Sequence, residues 1–228
     1  MLIRNVIPPP PIWFRLPPGY HTLDLARLNE LEHVAEALLT PILASSSAVT
    51  DSLRDASALV MLLQAIHEGG GIHTSIGVHP DGQDGAAVSL FSLSVRGIES
   101  RTPGLAVAQS GLAIANSPHW SSNTRKLLEL PIGMSAALVA GTLSAPPRQL
   151  LAEAGISAEP SEVFQARLTV SYPSGTRIAV ADLTSAATRH GEAYTEILEA
   201  IARTITFSAP DSATSTAQRS SRILEVPS

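Results

Sequence analysis

The chain contains no cysteine, which excludes a disulfide framework, a thiol nucleophile and a thiolate metal site. Lysine is almost missing as well. Fourteen of the 15 basic residues are arginine and Lys126 is the one lysine, a bias that with the high alanine content reflects a GC-rich genome rather than a mechanism. The basic residues are scattered and the net charge is −5, so there is no basic stripe of the kind that displaces counterions, and nucleic acid is excluded as a partner. No window reaches the roughly 18 uninterrupted apolar residues that a membrane span needs. The longest candidate, Pro131 to Leu143, falls short. Met1 to Ile7 run straight into four prolines and hold no apolar stretch of signal-peptide length, so the expected location is the cytoplasm.

Recognisable catalytic signatures are missing too. No serine sits in Gly-x-Ser-x-Gly, and neither Ser-x-x-Lys nor His-Glu-x-x-His occurs. Gly69-Gly70-Gly71 ends a predicted helix instead of opening one and is not followed by Gly-Lys-Ser/Thr, so it is no phosphate loop. Asp81-Gly82-Gln83-Asp84-Gly85 lacks the alternating acids and the bidentate glutamate of a calcium loop, and turn chemistry alone accounts for it. Of the seven histidines, His73 and His79 share a strand face, but six strand residues separate them by about 20 Å, too far for one metal ion. His67 and His73 flank the glycine run with no third ligand beside them. Asp182, just before Thr184-Ser185, reads as a turn or cap acceptor. The expectation is a chain with no catalytic residues, no cofactor and no metal.

What is present is the composition of a folded protein. With 228 residues, 44% of them hydrophobic and 15% charged, the chain can bury one good-sized core. Three parts are expected: a proline-rich arm over 1–20, a single domain over 21–207 and a disordered Ser/Thr/Ala-rich tail over 208–228. Within the arm, Trp13 and Phe14 follow Pro8 to Pro11, and two adjacent aromatics are costly to leave in water. Their plainer role is to pin the arm to the domain, and their sharper one is as part of a polyproline ligand for another protein.

Apolar spacing of three and four predicts helices from Thr22 to about Leu43, from Thr50 or Asp51 to Glu68, over Pro103 to Asn116 and over Glu192 to Arg203. Ile72 to Val78 and Ala86 to Val95 form a predicted hairpin, Leu127 to Leu130 and Ala136 to Leu143 two short strands, and Thr204 to Phe207 an edge strand. Pro118 to Asn123 reads as a loop exposing Trp120, and Ser144 to Pro160 as a loop-rich excursion. The clearest pattern lies further on: Phe164, Ala166, Leu168, Val170 and Tyr172 alternate with Gln165, Arg167, Thr169 and Ser171. A turn at Pro173-Ser174-Gly175 and an apolar run from Arg177 to Leu183 complete an antiparallel hairpin.

This order of elements resembles the PsbP-like fold, and the expected class is α+β: an α/β/α sandwich with one largely antiparallel sheet of about six to seven strands covered by helices. The stretch Trp13-Phe14-Arg15-Leu16-Pro17-Pro18-Gly19-Tyr20, with Leu168 to Tyr172 and the turn after it, also resembles uncharacterised actinomycete proteins. That resemblance covers most of 12–207, implies a role accessory to type VII secretion for some members, and brings no catalytic residues with it. The leading expectation is a non-enzymatic adaptor that meets a protein partner through Trp13 and Phe14, or through the loops carrying Asp81 to Gly85 and Trp120. The alternative is a small-molecule or lipid-binding module with a pocket between the sheet and the N-terminal helices. An enzyme using His73, His79 and Asp182 ranks third, and self-association depends on whether Pro131 to Leu143 is left exposed.

Overall fold

The computed structural model describes residues 11–23, 69–80, 86–98, 102–118, 120–145, 161–173 and 175–209. Period-two patterns become seven strands: β1 (Tyr20–Leu23), β2 (Gly71–Pro80), β3 (Ala86–Gly97), β4 (Trp120–Glu129), β5 (Ser135–Ala145), β6 (Ser161–Ser171) and β7 (Arg177–Ser185). They form one antiparallel sheet in the order β1-β2-β3-β7-β6-β5-β4. The chain lays down β1, β2 and β3 side by side, then crosses the sheet through helix α1 (Pro103–Ala115) to start β4 at the far edge. It returns through β5, β6 and β7, and β7 joins β3 in the middle.

The core lies mainly on one face. Phe164, Ala166, Leu168 and Val170 of β6, and Tyr172 just after it, are all buried there beside Phe91, Leu93, Leu138, Ala181 and Leu183. Helix α2 (Gly191–Ala202) covers them with Tyr194, Leu198, Ile201 and Ala202, at the three- and four-residue spacing that puts side chains on one helix face. On the other face α1 buries Val107 against Ala137, Ile178 and Val180. Gly111 lets it lie close, since a Cβ there would stand 3.0 Å from that of Ala137. One antiparallel sheet with a helix on each face makes the class α+β. Among the described residues no helix is long and apolar enough to cross a membrane.

The arm joins this core. The Trp13 N–H donates to the Thr206 carbonyl at 2.8 Å and the Thr206 N–H to the Trp13 carbonyl at 2.9 Å, while Ile12 and Phe14 on either side are buried. The aromatics therefore pin the arm to the domain.

Several expected boundaries change. Thr22 and Leu23 belong to β1 instead of a helix, because Tyr20 to Leu23 pair with Thr74 to Gly77. The rest of that predicted helix, the one predicted to end at Glu68, the loop 81–85 and residues 1–10 and 210–228 lie outside the described residues. Thr204 to Phe207 supply a single bridge to Trp13, not an edge strand. Trp120 to Asn123 begin β4 instead of forming a loop, Ser144 and Ala145 close β5, and the rest of the predicted excursion, 146–160, lies outside the described residues. Pro131 to Leu143 divides into an exposed turn at Gly133, with φ +71°, and the strand residues Ala136 to Ala140, so its strand half packs inside while Ile132 stays at the surface.

Leu168, at the middle of β6 and without solvent exposure, tests that packing. Leu168→Ala is expected to lower unfolding free energy by about 3 kcal/mol in chemical denaturation. A loss under about 1 kcal/mol would mean that the centre of the sheet collapses freely around the missing side chain.

Candidate functional site

Register places a transverse row of side chains on the α2 face. Tyr20 pairs with Gly77, Gly77 with Ser89, Ser89 with Ser185, Ser185 with Phe164 and Phe164 with Thr142. Because antiparallel partners project to the same face, five strands contribute polar or aromatic side chains to this row around Gly77. A Cβ at Gly77 would lie 2.6 Å from Ser89 Oγ and 2.7 Å from both His79 Nε2 and Tyr20 Cζ, so glycine is the residue that lets these three groups meet.

Hydroxyl groups connect them. Tyr20 Oη and Ser89 Oγ are 3.0 Å apart, and Ser89 Oγ lies 3.4 Å from His79 Nε2. Burial, more than any neighbour, pushes the Tyr20 phenol up to about 12, which keeps its proton on. Burial first, then the nearby His190, lowers His79, which keeps that ring neutral. With the imidazole proton on Nδ1, Tyr20 donates to Ser89 and Ser89 to His79; with it on Nε2, His79 donates to Ser89 and the order reverses. Next to it, Ser185 donates its single proton to the Val88 carbonyl at 2.7 Å. Its oxygen accepts from the Ala187 N–H at 3.1 Å and meets the Tyr194 hydroxyl at 3.1 Å. Tyr194 also packs its ring against Phe164, His79 and His190.

The row ends in an open depression of about 440 Å³ between the first turns of α2 and strands β4 to β6. Phe164 lies at its wall with Thr142, Thr188 and Thr195, and Lys126, Glu192 and Glu196 bring charge to the rim. Gly191 allows α2 to seat there, since a Cβ would meet the Phe164 ring at 2.8 Å.

His73, His79 and Asp182 do not meet. His73 is on the same face as His79 but deep in the core, edge-on to Phe14 at 5.1 Å, with Nε2 at 2.5 Å from Ser75 Oγ. Asp182 is on the opposite face, in the body of β7 and not at a turn or cap. It accepts Arg167 Nε at 2.5 Å, Arg167 Nη2 at 3.0 Å and Gln165 Nε2 at 3.1 Å, a two-point pairing that fixes both residues. Among the described residues no group of three His, Asp or Glu side chains is placed to hold a metal ion.

Of the expected contact residues, Phe14 is buried, Trp13 is held half-buried in the bridge to Thr206, and Trp120 is half-buried in β4. Apolar exposure falls elsewhere: on Leu105 and Leu112 of α1, on Leu127 of β4 and, less, on Ile132. The Tyr20-Ser89-His79 chain went unread because its members are distant in sequence and only register brings them together.

Burial lowers His73 from its usual 6.5 to about 4. The unfolded chain takes up that proton first as pH falls. His73 therefore contributes stability that is complete above pH 6.5 and is lost between 6.5 and about 4, by about 3 kcal/mol in all. In denaturant titrations at stepped pH, His73→Phe is expected to flatten this fall relative to the wild type; equal pH slopes in the two proteins would contradict it.

Neither a protein-family model nor a curated protein matches the chain.

Proposed function

We propose that this chain is a non-enzymatic binding protein, an adaptor that meets a protein partner on the outer face of α1. One observation carries the reading. In Pro103–Ala115 only Gln109 and Ser110 have polar side chains and none is charged. A helix that is apolar all round is normally covered on every side. Here the sheet covers Val107 and Gly111, while Leu105 and Leu112, two turns apart on the other side, are 51% and 55% exposed.

The reactive side chains favour the same reading. Tyr20 is held protonated, Asp182 is paired with Arg167, and His73 is enclosed by aromatic rings. The resemblance to secretion-accessory proteins makes a type VII secretion substrate the first partner class to test.

Leu105→Asp with Leu112→Asp places two charges on that face without touching the core. Tm should stay close to wild type, and a companion that tagged wild type retains in stoichiometric amount from host lysate should be lost, with affinity falling at least about tenfold. A companion held equally by both proteins would remove α1 as the contact.

A second reading, a small-molecule site, rests on the depression at Phe164, Thr142 and Thr195. A ligand there at 100 times its Kd would stabilise the fold by about 2.7 kcal/mol. Thermal-shift screening should then find metabolites or lipids that raise Tm in wild type but not in Thr142→Trp, which fills the space. Shifts that survive this substitution would place the ligand elsewhere.

A further inference from the structure

We propose that two copies of the chain pair through β4, edge to edge and antiparallel, about a two-fold axis passing between their Leu127 residues.

Strand β4 ends the sheet. Among the described residues β5 is its one strand neighbour, so its outer edge presents backbone N–H and C=O groups without a ladder. Protein edges are commonly protected by proline, bulges or dense charge. In β4 the one irregularity lies between Ser121 and Thr124, and Thr124 to Glu129 pairs regularly with Ala140 to Ser135. This regular half has no proline; its charges, Arg125, Lys126 and Glu129, are of both signs, and its Leu127 is 77% exposed, more than any other large apolar residue described.

The sequence of β4 then selects the partner. A two-fold axis perpendicular to the sheet reverses the strand and continues each face, so the pairing is centred on one residue and its own copy. Centring on Arg125 or Lys126 would set like charges against each other. A centre at Leu128 would put Leu127 against Glu129. A centre at Leu127 instead places Leu127 on Leu127, Lys126 beside Leu128 and Arg125 opposite Glu129, the last pair occurring twice by symmetry. One segment thus supplies both signs of charge at equal distances on either side of an exposed leucine. That self-complementarity specifies a second copy over an unrelated strand.

The surrounding contacts are compatible. Leu127 pairs with Ala137, the residue beneath Gly111, so Arg125, Leu127 and Glu129 lie on the α1 side of the sheet. Arg125 donates from Nη2 to the Ala115 carbonyl at 3.0 Å, which holds its side chain on that face beside the seam. Lys126 projects to the other face, where it pairs with Glu199 of its own chain. The assembly is one continuous sheet of fourteen strands, seven from each copy, and the outer faces of both α1 helices remain open to other partners. This inference stands on β4 alone and holds whether or not α1 binds a protein.

Light scattering coupled to size exclusion on the full chain, through a dilution series, reads the result. The wild type should show twice the 23.9 kDa chain mass. Leu127→Asp should be monomeric with unchanged circular dichroism, because the side chain is exposed in the single chain, and its Tm should lack the concentration dependence that dimerisation gives the wild type. Arg125→Glu and Glu129→Arg should each raise the dimer dissociation constant at least about tenfold, since each sets like charges opposite each other. Mixing these two variants should restore a dimer, because every cross-strand pair is then of opposite charge. A wild type that stays monomeric throughout, a dimer indifferent to all three substitutions, or one abolished by Leu105→Asp with Leu112→Asp would overturn the proposal.

Discussion

The pairing of β3 with β7 holds the molecule together. Ser89 to Gly97 align with Arg177 to Ser185 over nine residue pairs, joining a strand group laid down early in the chain to one completed about ninety residues later. Closing so long a loop costs conformational entropy that only extensive burial offsets. The interface accordingly buries Phe91, Leu93, Ala181 and Leu183 in the main core. Both other constructions depend on it. The hydroxyl row reaches Phe164 only because Ser89 stands opposite Ser185. Strand β4 is an edge because β7 and β6 have taken the centre.

Charge and polarity are distributed unevenly about this centre. On the α2 face, polar side chains gather at one end, where Tyr20, Ser89, Ser185 and Tyr194 satisfy one another. On the α1 face, Arg167 and Asp182 form a part-buried pair on adjacent strands, and Ser110 meets Thr169 beneath the helix at 3.5 Å. Removing one member of the Arg167–Asp182 pair would leave a part-desolvated charge behind, at a cost to stability. The outer side of α1 instead exposes Leu105 and Leu112, and β4 exposes Leu127 among charges of both signs.

Much of the architecture was legible along the chain. Alternation from Phe164 to Tyr172 marked β6, glycine and proline marked the turn after it, and apolar spacing marked α1 and α2 to within a residue or two. Local patterns failed where neighbours decide conformation. Trp120 to Asn123 look like a loop, yet Trp120 and Ser121 are drawn into β4 by Leu143 and Thr142. Thr22 and Leu23 continue a helical pattern but are claimed by the edge of β2. The aromatics Trp13 and Phe14 suggested a detached ligand or an anchor, and only the bridge to Thr206 makes them an anchor.

The sequence by itself excluded disulfide and thiol chemistry, since absent cysteine is a fact of composition, and it determined most strands and both described helices, since periodicity is local. Tertiary structure alone decided strand order, the face on which each polar residue lies, and which apolar residues stay in water. The physical reason is that hydrogen-bonded register acts between segments far apart in the chain, and shifting it by one residue would turn every side chain of a strand to the opposite face. Gly77 illustrates the division: unremarkable in sequence, it becomes the space in which Tyr20, His79 and Ser89 converge once three strands are paired.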